Sequence, residues 1–486
     1  MTWSDLTLIA PLVAALLVAC AVLVVDAIAP GRDRPAIAVS LVGLAVVAAV
    51  TWWTGQAPGM AFGGSYTVDP LTTFLDLVFI AIVALTILFG PDYLAPRDLP
   101  VAEFAATLIF AMTGAMLIAG SADLLVLFVG LELMVLPGYL LAGFAKHDAL
   151  STEGAIKYFL LGSFSSAIFL FGLAYVWGLT GTTRIAGVAD ALAAAQGLSP
   201  ALAMGLAFLT TGVAFKIAAV PFHYWTPDAY QGSPTPVTGY LSVGPKVGAF
   251  ALIIRLFVEA LGPIQTDWLP VIAVLAVLTM TLGNLVAIAQ TNVKRMLAYS
   301  SIAHTGYIMV GLCAYAADPT SGGLEAVLFY TAAYTFMNLG AFAVVAALQK
   351  RPGVTSQLDT FAGLGRREPL LGVLMTLFLL SLTGIPPTAG FFGKALVILS
   401  AVTAGGWMTV LAVIMVLNAV VAAFYYLRVV VYMYMRDPKG EPVVVRHGGL
   451  VRLGLAIAAA ATVLLGVLPG PLIDAASKAA QAVAGR

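Results

Sequence analysis

The sequence predicts an all-α, polytopic membrane protein of about fourteen transmembrane helices that form a single membrane domain over residues 1–486. Of the 486 residues, 61% are hydrophobic and only 9% are charged, whereas a soluble globular domain has about 25% charged residues. Apolar runs of about 18 to 25 residues, long enough to cross a hydrocarbon core about 30 Å thick, repeat from end to end. This composition excludes a soluble enzyme.

The predicted spans follow the apolar runs, and the short connections between them carry the Gly, Pro and Asp residues that end helices. The spans are 6–28, 36–54, 70–93, 103–120, 122–144, 155–180, 199–220, 235–260, 269–290, 296–316, 322–349, 368–402, 406–435 and 449–470. The segment 184–197 is too short to cross a bilayer, so we expect a helix that lies at the interface.

Lys and Arg residues predict the orientation, because they accumulate in loops that stay on the cytoplasmic side. The connections after even-numbered spans carry only Arg184. The connections after odd-numbered spans carry Arg32, Arg34, Arg97, Lys146, Lys294, Arg295, Lys350, Arg351, Arg366, Arg367, Arg436, Lys439, Arg446 and Arg452. Both termini are therefore expected on the periplasmic side of the membrane. Trp3-Ser4-Asp5 lacks the basic start of a signal peptide, so the first span is expected to be retained.

Two prolines interrupt apolar spans at corresponding positions. Pro221 interrupts span 7, and Pro386-Pro387 interrupts span 12. Irregular backbone at membrane depth is tolerated only where it is buried or lines a wet cavity. Paired broken helices are also typical of transporters built from inverted repeats.

Self-alignment of the chain supports such a repeat. Gly138-Tyr139 matches Gly306-Tyr307 at an offset of 168 residues. Glu153, Tyr158 and Phe164 match Glu325, Tyr330 and Phe336 at an offset of 172, and Pro221 matches Pro386 at an offset of 165. The offset is nearly constant. Spans 4–8 (101–260) would repeat as spans 9–13 (266–436), after N-terminal spans 1–3 (1–100) and before the last span (449–470). Five is an odd number, so the second repeat would be inverted.

Charged residues deep in apolar spans are the first functional candidates, because a charge at the bilayer centre costs at least about 2.5–3.5 kcal/mol. They are Glu132, Lys216, Lys246 and Lys394. Lysine suits proton transfer since a buried ammonium can lose its proton, whereas arginine cannot. The alternative is that these groups form static ion pairs. Lys157 lies near the start of its span, where snorkelling to the surface is an equal alternative.

His223, two residues after Pro221, and His304 extend this set, since histidine titrates near physiological pH and can relay protons. Each has a purely structural role as its alternative. Arg255 and Arg428, by contrast, are predicted to be interface anchors.

Motifs for bound cofactors are missing from the sequence. Cys20 and Cys313 stand singly inside apolar spans, which argues against zinc and iron–sulfur sites. Neither a phosphate-binding loop nor a dinucleotide-binding glycine motif occurs. The driving energy is therefore expected from an ion gradient or a partner.

Three long segments resemble the signature stretches of subunit N of NADH-quinone oxidoreductase, respiratory complex I. They are EGAIKYFLLGSFSSAIFLFGLAYVWGLTGTT, AAVPFHYWTPDAYQGSPTPVTGYLSVGPKVGAFAL and QTNVKRMLAYSSIAHTGYIMVGL. The resemblance covers roughly residues 60–435. The sister subunits L and M are similar, but the stretch that follows W-x-P-D favours N.

The resemblance implies an antiporter-like subunit of the membrane arm, in the bacterial inner membrane, that moves protons while quinone is reduced elsewhere in the complex. NADH, FMN, iron–sulfur clusters and quinone are then expected on partner subunits, with none in this chain. The sister subunit M and the small subunit K are the expected neighbours, besides the lipid bilayer; nucleic acid is not expected. The family's proton path falls on Glu132, Lys216, Lys246 and Lys394.

Three alternatives remain open at this stage. The chain would be a subunit of a multisubunit cation/proton antiporter, a structural spacer of the membrane arm that does not pump, or a carrier of a small organic solute. The string of buried titratable residues favours protons over an organic solute.

Overall fold

A computed structural model describes residues 2–195, 197–437 and 447–484. Lys439, Arg446 and Arg486, which the sequence places in connections or in the tail, lie outside the described residues. Within the described part, twelve helices are long and apolar enough to cross a membrane. The prediction of an all-α, polytopic membrane fold is therefore confirmed.

The described residues of the N-terminal region form five α-helices and a small hairpin of two antiparallel strands. These elements are α1 (Trp3–Leu8), α2 (Ala10–Ile28), α3 (Asp33–Thr54), β1 (Gly59–Ala61), β2 (Tyr66–Val68), α4 (Pro70–Phe89) and α5 (Pro91–Leu94). The hairpin is an addition to the predicted fold, because strands of three residues are too short to leave an alternating pattern in the sequence. Asp69 begins α4 by accepting a hydrogen bond from the Thr72 amide, as N-cap residues do.

The next region runs from α6 to α12. Its helices are α6 (Val101–Ala119), α7 (Leu124–Ala142), α8 (Ala149–Thr180), α9 (Ile185–Ala194), α10 (Pro200–Lys216), α11 (Trp225–Gly232) and α12 (Thr235–Ile253). A π-helical segment, Ile254–Ala260, continues α12. Asp123, Asp148 and Ser199 cap α7, α8 and α10 through their side-chain oxygens. The short α9 occupies most of the segment predicted to be too short to cross.

The described residues of the last region form nine α-helices. They are α13 (Gln265–Ala289), α14 (Val293–Ala317), α15 (Gly323–Leu348), α16 (Leu364–Arg367), α17 (Pro369–Thr383), α18 (Ala389–Ala404), α19 (Met408–Met435), α20 (Gly449–Val467) and α21 (Gly470–Ala484). The sequence analysis did not predict α21, whose buried residues Ala476, Ala479 and Val483 recur at helical spacing. It packs against α4 and α15.

Both predicted helix breaks are present. Span 7 extends beyond its predicted bounds of 199–220, because it consists of α10 and α11, separated by residues 217–224 around Pro221. Span 12 consists of α17 and α18, separated by residues 384–388. Counting each broken pair as one crossing brings the twelve long helices to the fourteen that the sequence predicts. That total and the inverted arrangement of residues 101–260 and 266–436 stay predictions.

Burial separates central helices from peripheral ones. In α14 and in the helix formed by α12 with its π-helical continuation, 94% of the most apolar window is buried, whereas in α2 the share is 28%. Peripheral helices therefore present apolar side chains outward, where a hydrocarbon environment accommodates them. The central helices carry the polar residues described below.

Candidate functional site

Glu132 lies in the middle of α7 and is partly buried. Its Oε1 atom is buried without a hydrogen-bond partner, and no ion pair within 4.0 Å among the described residues includes it. A direct Glu132–Lys216 pair is therefore not formed in this structure. Tyr139, two turns further along α7, lies on the same side of the helix.

Lys216 is the last residue of α10 and is 5% exposed. Its Nζ donates to Ser166 Oγ at 2.8 Å, and Tyr139 Oη and Gly162 O each lie 3.5 Å away. Pro221 prevents a regular helix beyond this point, because proline lacks an amide donor. The break thus leaves Lys216 at a helix end, facing neutral oxygen atoms of α7 and α8.

Lys246 follows Pro245 in α12 and is also 5% exposed. Its Nζ donates to Ser301 O at 2.7 Å, to Ser301 Oγ at 2.6 Å and to Thr305 Oγ1 at 3.1 Å. The Thr305 hydroxyl in turn donates to Ile217 O at 3.0 Å. Since Ile217 follows Lys216, Thr305 joins the surroundings of the two lysines.

His304 occupies the core of α14 between two phenols. Its Nδ1 lies 2.9 Å from Tyr330 Oη and its Nε2 lies 3.1 Å from Tyr426 Oη. The Tyr307 and Tyr334 rings lie against the imidazole, with centroid separations of 5.5 and 5.0 Å. Both ring nitrogens therefore have hydroxyl partners, which allows either neutral tautomer.

Lys394 lies in α18, five per cent exposed, and points back at the end of α17. Its Nζ donates to Leu382 O at 2.9 Å and to Thr383 O at 2.7 Å. Carbonyls at a helix C-terminus lack intrahelical donors and favour a cation. Gly384 has a φ of 94°, and a Cβ there would lie 3.0 Å from Lys394 Cδ. The break in span 12 therefore forms the binding site for the Lys394 ammonium, whose Nζ also lies 5.0 Å from the Tyr307 ring centroid.

His223 and Lys157 are not brought into this core arrangement. His223, in the break after α10, is buried against the Tyr224 ring, and its Nδ1 has no partner among the described residues. The Lys157 side chain is 42% exposed and pairs with Glu153 at 2.6 Å and Asp228 at 2.7 Å. Asp228 also pairs with Arg295 at 2.7 Å, so Lys157 belongs to a half-exposed ion network.

The prediction of Arg255 as an interface anchor is wrong. Arg255 is completely buried and pairs with Asp69 at 2.9 Å and with Glu259 at 2.5 Å. We call these three residues the Arg255 cluster. Arg428 differs, because its guanidinium donates to Ile288 O at 2.7 Å and Gln290 O at 2.6 Å; its role as an anchor stays a prediction.

The sequence analysis missed the partners of the buried cations. Ser166, Ser301 and Thr305 supply hydroxyl groups to the buried lysines, and Tyr330 and Tyr426 supply them to His304. The segment YSSIAHT in an otherwise apolar span was a usable signal, since hydroxyls recur there at helical spacing.

We call Lys216, Lys246 and Lys394 the lysine row. Among the ion pairs within 4.0 Å in the described part of the chain, none includes a member of this row. Each ammonium instead donates to hydroxyl or carbonyl oxygens. An ammonium held by neutral acceptors can lose its proton without leaving a buried carboxylate unpaired.

Comparison with known proteins gives consistent matches along the chain. A family model described as NADH:quinone oxidoreductase/Mrp antiporter, TM, matches residues 121–420. NADH-quinone oxidoreductase subunit N of Trichlorobacter lovleyi is 41% identical over 484 residues, covering 99% of this chain and 98% of the relative.

Solved structures agree with these matches. A chain of respiratory complex I from Thermus thermophilus with bound aureothin is 32% identical with a TM-score of 0.79, covering 96% of this chain and 98% of that one. A chain of the Mrp complex from Dietzia sp. shares the fold, with a TM-score of 0.83 at 22% identity, over 99% of this chain and all of that one (100%).

Proposed function

The chain belongs to the subunit N family of NADH-quinone oxidoreductase, an antiporter-like membrane subunit of complex I, and we propose that it translocates protons through its buried lysines while the complex reduces quinone. The observation that carries the proposal is the pairing of the lysine row with neutral oxygens only. Buried ionisable groups in membrane proteins are costly and mark ion or proton paths. Three ammonium groups without carboxylate partners therefore favour proton exchange over static packing.

The contacts support a lateral order of transfer. Thr305 touches both the Lys246 ammonium and the carbonyl that follows Lys216. On the other side, His304 lies next to Thr305 in α14 and packs on Tyr307, over which the Lys394 ammonium lies. A proton would leave one ammonium, pass through hydroxyl groups or water, and charge the next neutral amine. Glu132, on α7, would be the carboxylate at the start of this path.

Several finer assignments belong to the same proposal. The redox groups, FMN and iron–sulfur clusters, and the NADH and quinone sites would lie on partner subunits. Subunits M and K would be the neighbours in the membrane arm. The chain would lie in the bacterial inner membrane with both termini on the periplasmic side, because the Lys and Arg residues are concentrated in the opposite loops.

The experiment measures NADH-driven proton uptake into proteoliposomes that contain the whole complex. Lys216→Met removes the ammonium but keeps a long side chain, and we expect the rate of proton uptake to fall by about tenfold or more. Lys350→Met is the matched control, because Lys350 pairs with Asp92 at 3.0 Å outside the lysine row. Wild-type uptake by the assembled Lys216→Met complex would reject the proposal and favour the structural spacer.

The fold shared with the Mrp complex chain favours one second candidate, exchange of a cation such as Na⁺ for protons. The same proteoliposomes distinguish the two functions. We expect proton uptake at zero Na⁺ to equal uptake in Na⁺ buffer. A strict requirement for Na⁺ would favour the exchanger.

A further inference from the structure

A fourth buried lysine, Lys294, lies outside the lysine row. The sequence predicts a loop cation here, but Lys294 is the second residue of α14 and is 3% exposed. Its Nζ donates to Ser233 O at 2.5 Å and Gln231 O at 3.1 Å. Lys294 thus shares the property that defines the lysine row, an ammonium held by neutral oxygens.

The helix that carries Lys294 also carries the acceptors of Lys246. Lys294, Ser301 and Thr305 are separated by seven and four residues, so they lie along one face of α14. Seven residues correspond to a rise of about 10 Å. Lys294 therefore lies about two turns from the Lys246 site, toward the predicted cytoplasmic end of the helix.

A series of hydrogen-bonding groups on α11 and α12 extends from Lys294 toward Lys246. Ser233 O, which accepts from Lys294, also accepts from the Thr238 hydroxyl at 3.4 Å, and this hydroxyl lies 2.8 Å from Tyr230 O. The Tyr230 phenol donates to Leu241 O at 2.8 Å. Next along α12, Ser242 O lies 3.3 Å from the Ser301 hydroxyl, which accepts from Lys246.

Two unpartnered atoms on α15 border the same region. Asn338 donates to Ser242 Oγ at 2.6 Å, yet its own Oδ1 is buried with no partner among the described residues. The Tyr334 hydroxyl, one turn earlier, is likewise buried without a partner. Buried polar atoms nearly always bond to protein or to ordered water. These two atoms therefore point to water between α12, α14 and α15.

We propose that Lys294 is the proton donor to Lys246 from the cytoplasmic side, through the hydroxyl groups and water around Tyr230 and Ser242. In this step the Lys294 ammonium releases one proton, the neutral Lys246 amine gains it, and the Lys294 amine is then recharged from the aqueous phase. The adjacent Arg295 side chain is 28% exposed, so the aqueous phase is close. This inference rests on the proposed function.

Arginine distinguishes this role from helix capping. Lys294→Arg keeps a positive charge beside the carbonyls at the end of α11, but a guanidinium does not release its proton. We expect the rate of proton uptake by the assembled complex to fall by about tenfold or more. Arg295→Lys is the matched control in the next position and should leave uptake unchanged. Wild-type uptake with Lys294→Arg would overturn the proposal and leave capping as its role.

Two further variants, Lys246→Met and Tyr230→Phe, separate failure of the Lys294 role from failure of the proposed function. Lys246→Met is measured alongside: if it pumps normally, the proposed function fails, whereas loss with Lys246→Met but not with Lys294→Arg rejects only the role of Lys294. Should Lys294→Arg not assemble, Tyr230→Phe decides, because it removes one hydroxyl from the same region. A several-fold slower uptake is expected, and an unchanged rate in Tyr230→Phe would then overturn the inference.

Discussion

The lysine row and the Arg255 cluster both place cations in the buried helix core, yet the partners of these cations differ in kind. Lys246 and Arg255 lie on the same helix, α12 with its π-helical continuation. Lys246 donates to two hydroxyl groups and a carbonyl, whereas Arg255 pairs with two carboxylates. A guanidinium keeps its proton and binds carboxylates in a fixed geometry. The type of hydrogen-bond partner, and not burial alone, therefore distinguishes a fixed charge from an ammonium suited to proton exchange.

The largest effect should come from breaking the fixed charge. Arg255→Met takes the guanidinium away from Asp69 and Glu259, and loss of one partner of a buried ion pair costs about 3–5 kcal/mol. We expect little assembled subunit in the membrane, measured by immunoblot after native electrophoresis. Arg428→Met is the comparison, since the hydrogen bonds of Arg428 within the described residues go to carbonyls; equal amounts of the two variants would contradict the assigned difference.

The lysine row should respond in the opposite way. In Lys394→Met the carbonyls of Leu382 and Thr383 lose a hydrogen-bond donor, but no buried carboxylate loses its partner. The complex should therefore assemble at near wild-type levels. The rate of proton uptake should nevertheless fall by about tenfold or more. If Lys394→Met instead prevented assembly, and the small amount of complex that did assemble pumped normally, Lys394 would have the structural role assigned here to Arg255.

A smaller effect is expected from one hydroxyl partner. Ser166→Ala removes the 2.8 Å acceptor of Lys216, a hydrogen bond to a charged group worth about 1.5–3 kcal/mol. Proton uptake should slow by several-fold. The neighbouring Ser165→Ala is the control, because Ser165 donates to Gly212 O and not to a lysine; equal slowing would show that the Lys216 contact is irrelevant.

The smallest effect should come from the half-exposed ion network. Lys157→Gln removes an ammonium that already pairs with Glu153 and Asp228 in contact with solvent, where ion pairs are screened by salt. Proton uptake should stay close to wild type at physiological ionic strength. A loss as large as that of Lys394→Met would place Lys157 among the exchanging groups.

The sequence predicted the membrane fold and both breaks because apolar length and proline act locally. Pro221 and Pro386-Pro387 lie at the breaks that the structure shows. Local signals also identified Lys216, Lys246 and Lys394 as buried. By contrast, α21 and the hairpin of β1 with β2 carry too little apolar length or alternation to be recognised.

Long-range contacts were beyond the sequence. Asp69 lies 186 residues before Arg255, so the charge that keeps Arg255 buried had no local trace. Ser166 lies 50 residues before its lysine. The sequence places Lys294 in a connection because it lies between the predicted spans 269–290 and 296–316, and only the packing of α11 on α14 shows that Lys294 and Arg295 differ in burial.

The most direct test of the account is the proton-to-electron ratio of a complex that carries Lys216→Arg. Arginine preserves the charge and the reach to Ser166 but holds its proton. We expect NADH oxidation with assembled complex and a lowered number of protons taken up per electron pair. A ratio equal to that of the wild-type complex would contradict the claim that the lysine row exchanges protons.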